Sequence, residues 1–346
     1  VSDTEHTLAI VVHHIAADGW SMAPLARDVM IAYSARKDGI APAWQPLTVQ
    51  YADYSLWQRE VLGSEDDSES LISQQISYWT ETLADLPDVI ELPSDRSRPD
   101  VASMRGERFA FEISGDVHRR LDALARENNA TLFMALHSAL AVLMARLSGT
   151  SDIAVGTPVA GRGDEALDDL VGMFVNTLVL RTEGDPAQAF TDLLAAASDS
   201  ALGAFAHSDV PFERLVDVLA PARSQARHPL FQVVLSLQNL AQTALELPGL
   251  AIKAAEIDTT TAKFDLELAV TESIGEDGIQ QGLSAEFTFA ADLFDASTVE
   301  GFARRLVRIL ETVVSVPSIV VGDIDILDAA ERGVLADVHG GQSVSG

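Results

Sequence analysis

The segment Thr7-Leu8-Ala9-Ile10-Val11-Val12-His13-His14-Ile15-Ala16-Ala17-Asp18-Gly19-Trp20-Ser21 joins an apolar run to a polar, glycine-containing loop. Its first six residues are rich in β-branched side chains and are bounded by charge, which predicts a buried strand entering a loop. Successive strand side chains point to opposite faces, so this reading puts His14 with Ile10 and Val12, and His13 with Ala9 and Val11. Only one imidazole then enters a given pocket. No third ligand stands at a short spacing, which argues against a metal site. Taken by itself, the segment is equally a satisfied core histidine, a turn at Asp18-Gly19 and an N-cap at Ser21.

The chain has 346 residues, 47% of them hydrophobic, and a mean hydropathy of +0.15, enough for one large or two moderate domains with substantial cores. Against 23 Lys and Arg stand 52 Asp and Glu, a formal charge of −29. Such a chain is repelled by a phosphate backbone or an anionic surface, so neither nucleic acid nor membrane is an expected partner. There is no cysteine, which excludes disulfides, thiolate nucleophiles and Cys-ligated metals and suits a cytoplasmic protein. Val1 to His6 carry no basic n-region of a signal peptide. No apolar run reaches the ~18 residues of a membrane span; Ala187–Ala206 is broken by Asp192 and Asp199. The chain starts without an initiator methionine, so a soluble piece of a longer protein is expected.

Helical periodicity runs from Ser21 to about Arg36, over Tyr51–Leu62 and over Ser70–Leu83. Pro87, Pro93 and Pro99 between Leu86 and Asp100 give linker composition and mark the main boundary. Beyond it the pattern predicts a strand at Arg108–Ile113, helices at Asp116–Asn128 and from a Thr131 cap to Leu147, and strands at Ile153–Val159 and Val175–Arg181. A helix follows from Pro186 to Phe205 with Asp185 as cap, and a short one from Pro211. Strands at Phe231–Gln238, Leu250–Ile257, Phe264–Val270 and Leu283–Phe289 precede a helix at Thr298–Val314. The order predicts an α/β fold, a mixed sheet with helices packed on it. Trp57, Trp79, Phe133 and Met134 fall within helices and are expected in the core. No GxSxG elbow occurs, none of Lys37, Lys253 and Lys263 sits in a phosphate-binding loop, and Gly161-Arg162-Gly163 lacks the third glycine of a dinucleotide fingerprint.

His13-His14-x-x-x-Asp18-Gly19 resembles the active-site signature of the chloramphenicol acetyltransferase-like acyltransferases. Four further segments are similar, in order and spacing, to motifs of the condensation domains of nonribosomal peptide synthetases: Tyr51-Ala52-Asp53-Tyr54-Ser55-Leu56-Trp57, Val171–Arg181, His207-Ser208-Asp209-Val210-Pro211-Phe212-Glu213 and His228-Pro229-Leu230-Phe231-Gln232-Val233-Val234. One departure is visible, the usual Arg-Asp-x-Ser-Arg appearing as Arg223-Ser224-Gln225-Ala226-Arg227. The resemblance implies two lobes in a V with the His motif at their junction and most of the N-terminal lobe missing. Residues 1–85 would be its remainder, 86–104 an inter-lobe linker, 105–328 the C-terminal lobe, and 329–346 a linker toward an adenylation domain.

The implied reaction is amide formation between acyl and aminoacyl thioesters held on the phosphopantetheine arms of upstream and downstream carrier domains, with no cofactor bound by this domain itself. A free α-amino group has a pKa near ~7.7–8.0, so roughly a tenth is already neutral at pH 7, and the enzyme needs orientation more than a strong base. The resemblance makes His14 the group that accepts the amine's proton or hydrogen-bonds the amine into line, and Gly19 the place where backbone approaches the thioester oxygen. It pairs Asp18 with Arg162 to fix the loop, gives His13 a supporting place, and turns Asn176, Trp20 and Ser21 toward substrate or pantetheine. A buried Asn176 is equally a strand-end cap. Arg304 and Arg308, four apart on one helix, or Arg223 and Arg227, would meet a carrier, or else are solvated. The alternatives are an epimerization domain, which the Gly19-Trp20-Ser21 order fits less well, and a non-catalytic carrier-docking or gating domain.

Overall fold

The computed structural model describes residues 5–222, 224–238, 247, 249–252, 260–275, 278–327 and 331–333. Three helices come first: α1 (Met22–Lys37), α2 (Tyr51–Leu62) and α3 (Leu71–Thr82). The body that follows alternates strands β1 (Gly106–Ser114), β2 (Asp152–Val159), β3 (Asn176–Glu183), β4 (Val233–Gln238), β5 (Leu266–Ile274) and β6 (Gln280–Ala290) with helices α4 (Gly115–Glu127), α5 (Leu132–Ser148), α6 (Phe190–Ala206), α7 (Phe212–Leu219) and α8 (Ala296–Ser315). The strands form one mixed sheet in the order β1-β6-β5-β4-β2-β3. β2, β4 and β5 run parallel, and the remaining neighbours pair antiparallel.

Helices α4, α5, α6 and α8 pack on one another and on the sheet, and α5 is buried along most of its length, from Leu132 to Met144. The Thr131 hydroxyl accepts the Met134 N–H that opens this helix. α3 docks through its own side chains. The Trp79 indole N–H donates to the His207 carbonyl at 2.8 Å, the Gln75 amide donates to Asp209 at 2.7 Å, and Tyr78 stacks on His207 with ring centroids 3.8 Å apart. Arg181 on β3 closes the other end of α3, donating to the Thr82 and Ala84 carbonyls while forking onto Asp152.

Several expectations change. Residues 7–12 form no strand and no bridge, and Leu8 (71%) and Val11 (95%) are exposed. An extended run becomes a strand only when another strand takes its N–H and C=O groups, so the alternation argument for His13 and His14 does not apply. The helix expected from Pro186 starts at Phe190. The Ala189 and Phe190 backbone is drawn to Val320 and Ile319 instead, and Asp185 accepts the Ala187 N–H in a turn. Trp57 is 55% exposed, its ring meeting that of Tyr54 with centroids 6.1 Å apart. Of the expected strand Leu250–Ile257, residues 250–252 are not in a strand and 253–257 lie outside the described residues.

The proline-containing segment 86–104 is strapped onto the body. The Ile90 N–H donates to Gln232, Arg98 forks onto the buried Asp265, and the Asp95 carboxylate accepts the Asp295 N–H and Thr298 hydroxyl that open α8. The Asp295 N–H chiefly holds the Asp95 carboxyl below the usual range. The α8 arginines do not form an open basic face either. Arg304 pairs with Glu300, Arg305 with Glu331, and Arg308 donates to the Leu327 carbonyl.

Candidate active site

His13 and His14 open a single 3-10 turn, His14–Ala16, just before α1. His13 is its cap, its Nδ1 accepting the Ile15 N–H at 3.2 Å. His14 is exposed, and its Nδ1 lies 3.1 Å from the Ala17 carbonyl oxygen. A carbonyl only accepts, so Nδ1 carries the proton and, in the neutral ring, Nε2 keeps its lone pair. No bond from Nε2 is formed with the described residues. Gly19 and Trp20 continue the loop, exposed and half-buried respectively, and the Gly19 carbonyl accepts the Met22 N–H at 3.3 Å.

Asp18 and Ser21 turn inward and tie the loop to the chain between β2 and β3. Asp18 Oδ1 accepts the Ser21 N–H (2.9 Å) and hydroxyl (2.8 Å) and one Arg162 N–H (3.2 Å), while Oδ2 accepts the Phe174 N–H at 3.0 Å. The Ser21 hydroxyl also reaches the Gly172 carbonyl at 2.9 Å and accepts the Gly172 N–H and an Arg162 N–H, both at 3.1 Å. The Asp18 N–H donates to the Gly172 carbonyl at 3.1 Å. Burial alone would push the Asp18 carboxyl up, but the Phe174 N–H, Ser21 and Arg162 together hold it below the usual carboxylate range.

Arg162 Nη1 donates to the Leu167 and Leu170 carbonyls, and the guanidinium lies 4.0 Å over the Phe174 ring. Phe174 belongs to a small separate core with Leu167 and Leu170, closed by Val49, Tyr51 and Tyr54. The Tyr51 hydroxyl donates to the Met173 carbonyl at 2.6 Å. Two glycines allow these close approaches. A Cβ at Gly172 would overlap the Tyr51 ring, and one at Gly161 (φ +66°) would overlap the Phe174 carbonyl oxygen.

Two expected substrate contacts differ in the structure. Ser21 is fully buried with its hydroxyl engaged on every side, so it holds the loop and faces no substrate. The Asn176 amide donates to the Ser208 and Val210 carbonyls at 2.8 and 2.7 Å, while its oxygen accepts the Thr177 and Phe212 N–H groups. All its bonding positions are used, and it ties the start of β3 to the start of α7. Gly172, Phe174 and Tyr51 fall within segments quoted for their resemblance, but their part in holding the His14 loop was not assigned from sequence. Among the described residues no group of three metal-ligating side chains occurs, and no single helix is long and apolar enough to cross a membrane.

Residues 1–336 match the family model of the condensation domain, so the chain belongs to that family. It is 47% identical over 336 residues, 97% of its length, to a probable non-canonical nonribosomal peptide synthetase, CymA, of Salinispora arenicola. It spans only 4% of that relative and 14% of a dimodular nonribosomal peptide synthase of Bacillus subtilis. Among solved structures it resembles the X-domain in its complex with OxyB from teicoplanin biosynthesis, with a TM-score of 0.85 at 35% identity over 92% of this chain and 69% of that one. The first condensation domain of the calcium-dependent antibiotic synthetase has the same fold, with a TM-score of 0.68 at 21% identity over 92% of this chain and 66% of that one. The fold is the chloramphenicol acetyltransferase-like α/β fold, and the chain is a condensation domain of the nonribosomal peptide synthetase type.

Proposed function

We propose that this chain forms peptide bonds between thioesters borne by an upstream and a downstream peptidyl carrier domain, within a multimodular synthetase that also carries an adenylation domain. In this reading residues 1–85 belong to one lobe and 105–328 to the other, with 329–346 leading to the adenylation domain. The observation that carries it is the His14 ring, exposed, bound through Nδ1 to Ala17 and left with Nε2 as an acceptor. The α-amine of the acceptor attacks the donor carbonyl carbon, a C–N bond forms and the C–S bond breaks. The proton lost by the amine passes through His14 Nε2 to the departing thiolate. Holding both tethered reactants beside one ring supplies most of the acceleration through orientation, and Gly19, exposed, and Trp20, half-buried, follow His14 in the same loop. The substrates arrive on phosphopantetheine, so no cofactor of the domain's own enters the step.

The test gives the complete synthetase matched donor and acceptor carriers loaded with aminoacyl groups, with and without His14→Ala. A dipeptidyl carrier product that is lost in the variant supports the proposal. Inversion at the α-carbon without a new amide would assign epimerization instead. A second reading, partner docking without chemistry, is favoured by the likeness to a domain that forms a complex with OxyB; neither product, with carriers still bound, would favour it.

A further inference from the structure

A cavity of about 400 Å³ opens at the ends of β4 and β5 where these strands begin, between the strap at 98–105, the turn at 224–229 and the end of β6. β2 runs parallel to them, and its far end leads to Arg162, so the cavity and the His14 loop lie toward opposite ends of the sheet. No residue lining the cavity belongs to the His14 site.

Its wall carries Arg98, Arg105, Arg227 and Lys263 against Asp265 and Asp292. In a chain of charge −29 this lining carries four cations against two carboxylates. Both carboxylates are already engaged. Asp265 is forked by Arg98 at 2.8 and 2.5 Å, and Asp292 accepts the Ser103 N–H and hydroxyl at 2.7 and 2.8 Å.

The other three cations are held more loosely. Arg105 stands 3.9 Å from Asp292 with its side chain 77% exposed, and Arg227 stands 3.7 Å from Asp88, itself 57% exposed. Lys263 forms no ion pair among the described residues; the half-buried Glu267 is the acid it faces, and burial pushes that carboxyl up. The turn beside Arg227 reads Ser224-Gln225-Ala226 and brings no carboxylate of its own. Apolar surface completes the cavity. Met104, Phe264 and Leu293 line it, and His228 presents a ring packed between Phe212 and Phe264 at centroid distances of 5.2 and 4.8 Å.

We propose that this cavity binds an organic phosphate monoester, its dianion held by Arg105, Arg227 and Lys263 and its organic body lying on Met104, Phe264 and His228. Two arginine forks and one ammonium suit phosphate oxygens better than a single carboxylate, and the apolar surface distinguishes an ester from inorganic phosphate. The site does not depend on the condensation reaction. The monoester is a nucleotide or a free phosphopantetheine, which share the group recognised.

The test is calorimetric titration of the full chain with AMP, 4′-phosphopantetheine, phosphate-free pantetheine and inorganic phosphate, at about 50 and about 300 mM NaCl. One or both monoesters are expected to saturate a single site with a Kd below about 1 mM, weakening with salt. AMP alone identifies the source as a nucleotide, and 4′-phosphopantetheine alone as the free arm. Arg227→Gln with Lys263→Gln should weaken binding at least roughly tenfold with Tm unchanged, and His14→Ala should bind as the parent does. Lack of saturation by about 10 mM ester, binding unchanged in the double variant, or equal affinity for inorganic phosphate overturns the proposal. Loss of amide formation with this binding intact concerns the His14 reading alone.

Discussion

Asp18 and Arg162 form a 3.2 Å ion pair whose side chains are 0% and 4% exposed, and the second oxygen of the same carboxylate accepts the Phe174 N–H. Two segments about 150 residues apart in sequence are thereby locked together just beside His14. The carboxylate fixes the position of the loop that carries His14.

Replacing Asp18 or Arg162 singly by alanine leaves a buried charge without its partner, a loss of about 3–5 kcal/mol. The double variant should lose less than the sum of the two, since the second substitution removes the charge that the first one strands. Urea unfolding of the three variants checks this. Additive losses would mean that the pair is not coupled.

Ser21→Ala removes the hydroxyl that both Asp18 and Gly172 use but keeps both charges. The expected loss is about 1–3 kcal/mol; on the proposed function the rate of amide formation also falls with little change in the acceptor KM, because the loop is displaced while Ser21 itself faces no substrate. A pure KM effect would contradict this and would place Ser21 at substrate.

The sheet and its helices were legible because periodicity and cap residues agree with tertiary packing: Thr131 caps α5, and Tyr51–Leu62 is helical over the expected range. The His loop was legible as a signature, but its conformation was not. An apolar run such as residues 7–12 specifies a strand only together with its partner, and periodicity in one chain segment carries no information on that partner. Ser21 and Asn176 were placed toward substrate by the resemblance, and the sequence does not tell which backbone groups consume their bonding positions. The strap at 86–104 read as linker because its prolines and charges are indeed those of a linker. Its attachment comes from single long-range contacts, Arg98 to Asp265 and Asp95 to the first turn of α8, which have no sequence period.

Arg98→Ala should free that strap. It leaves the buried Asp265 without its fork, and the hydrogen bonds to Asp265 are also what raise the Arg98 pKa. Limited proteolysis should then cut within 86–104 well before the parent chain is cut there, with a stability loss of about 3 kcal/mol. An unchanged cleavage pattern would show that the Ile90 and Asp95 contacts suffice to hold it.

His137 should make the fold sensitive to acid. On α5 its ring is wholly buried, neither nitrogen has a hydrogen-bond partner, and burial pushes its pKa down to about 4 from an ordinary 6.5. The unfolded chain therefore takes up a proton at a pH where the folded chain does not. The neutral ring's contribution is complete above pH 6.5, declines as the pH falls, and is gone by about 4, a loss of about 3 kcal/mol. His137→Leu keeps comparable volume and removes two unpaired buried nitrogens, so it should raise stability at pH 7 by about 1–3 kcal/mol. Carboxylates titrate near the lower end of the same range, so the measurement is the difference between parent and variant in urea unfolding at about pH 7.5 and about pH 4.5. The gap should widen on acidification, because only the parent pays the protonation of residue 137 on unfolding. A gap independent of pH would mean that the ring finds a partner or water in solution.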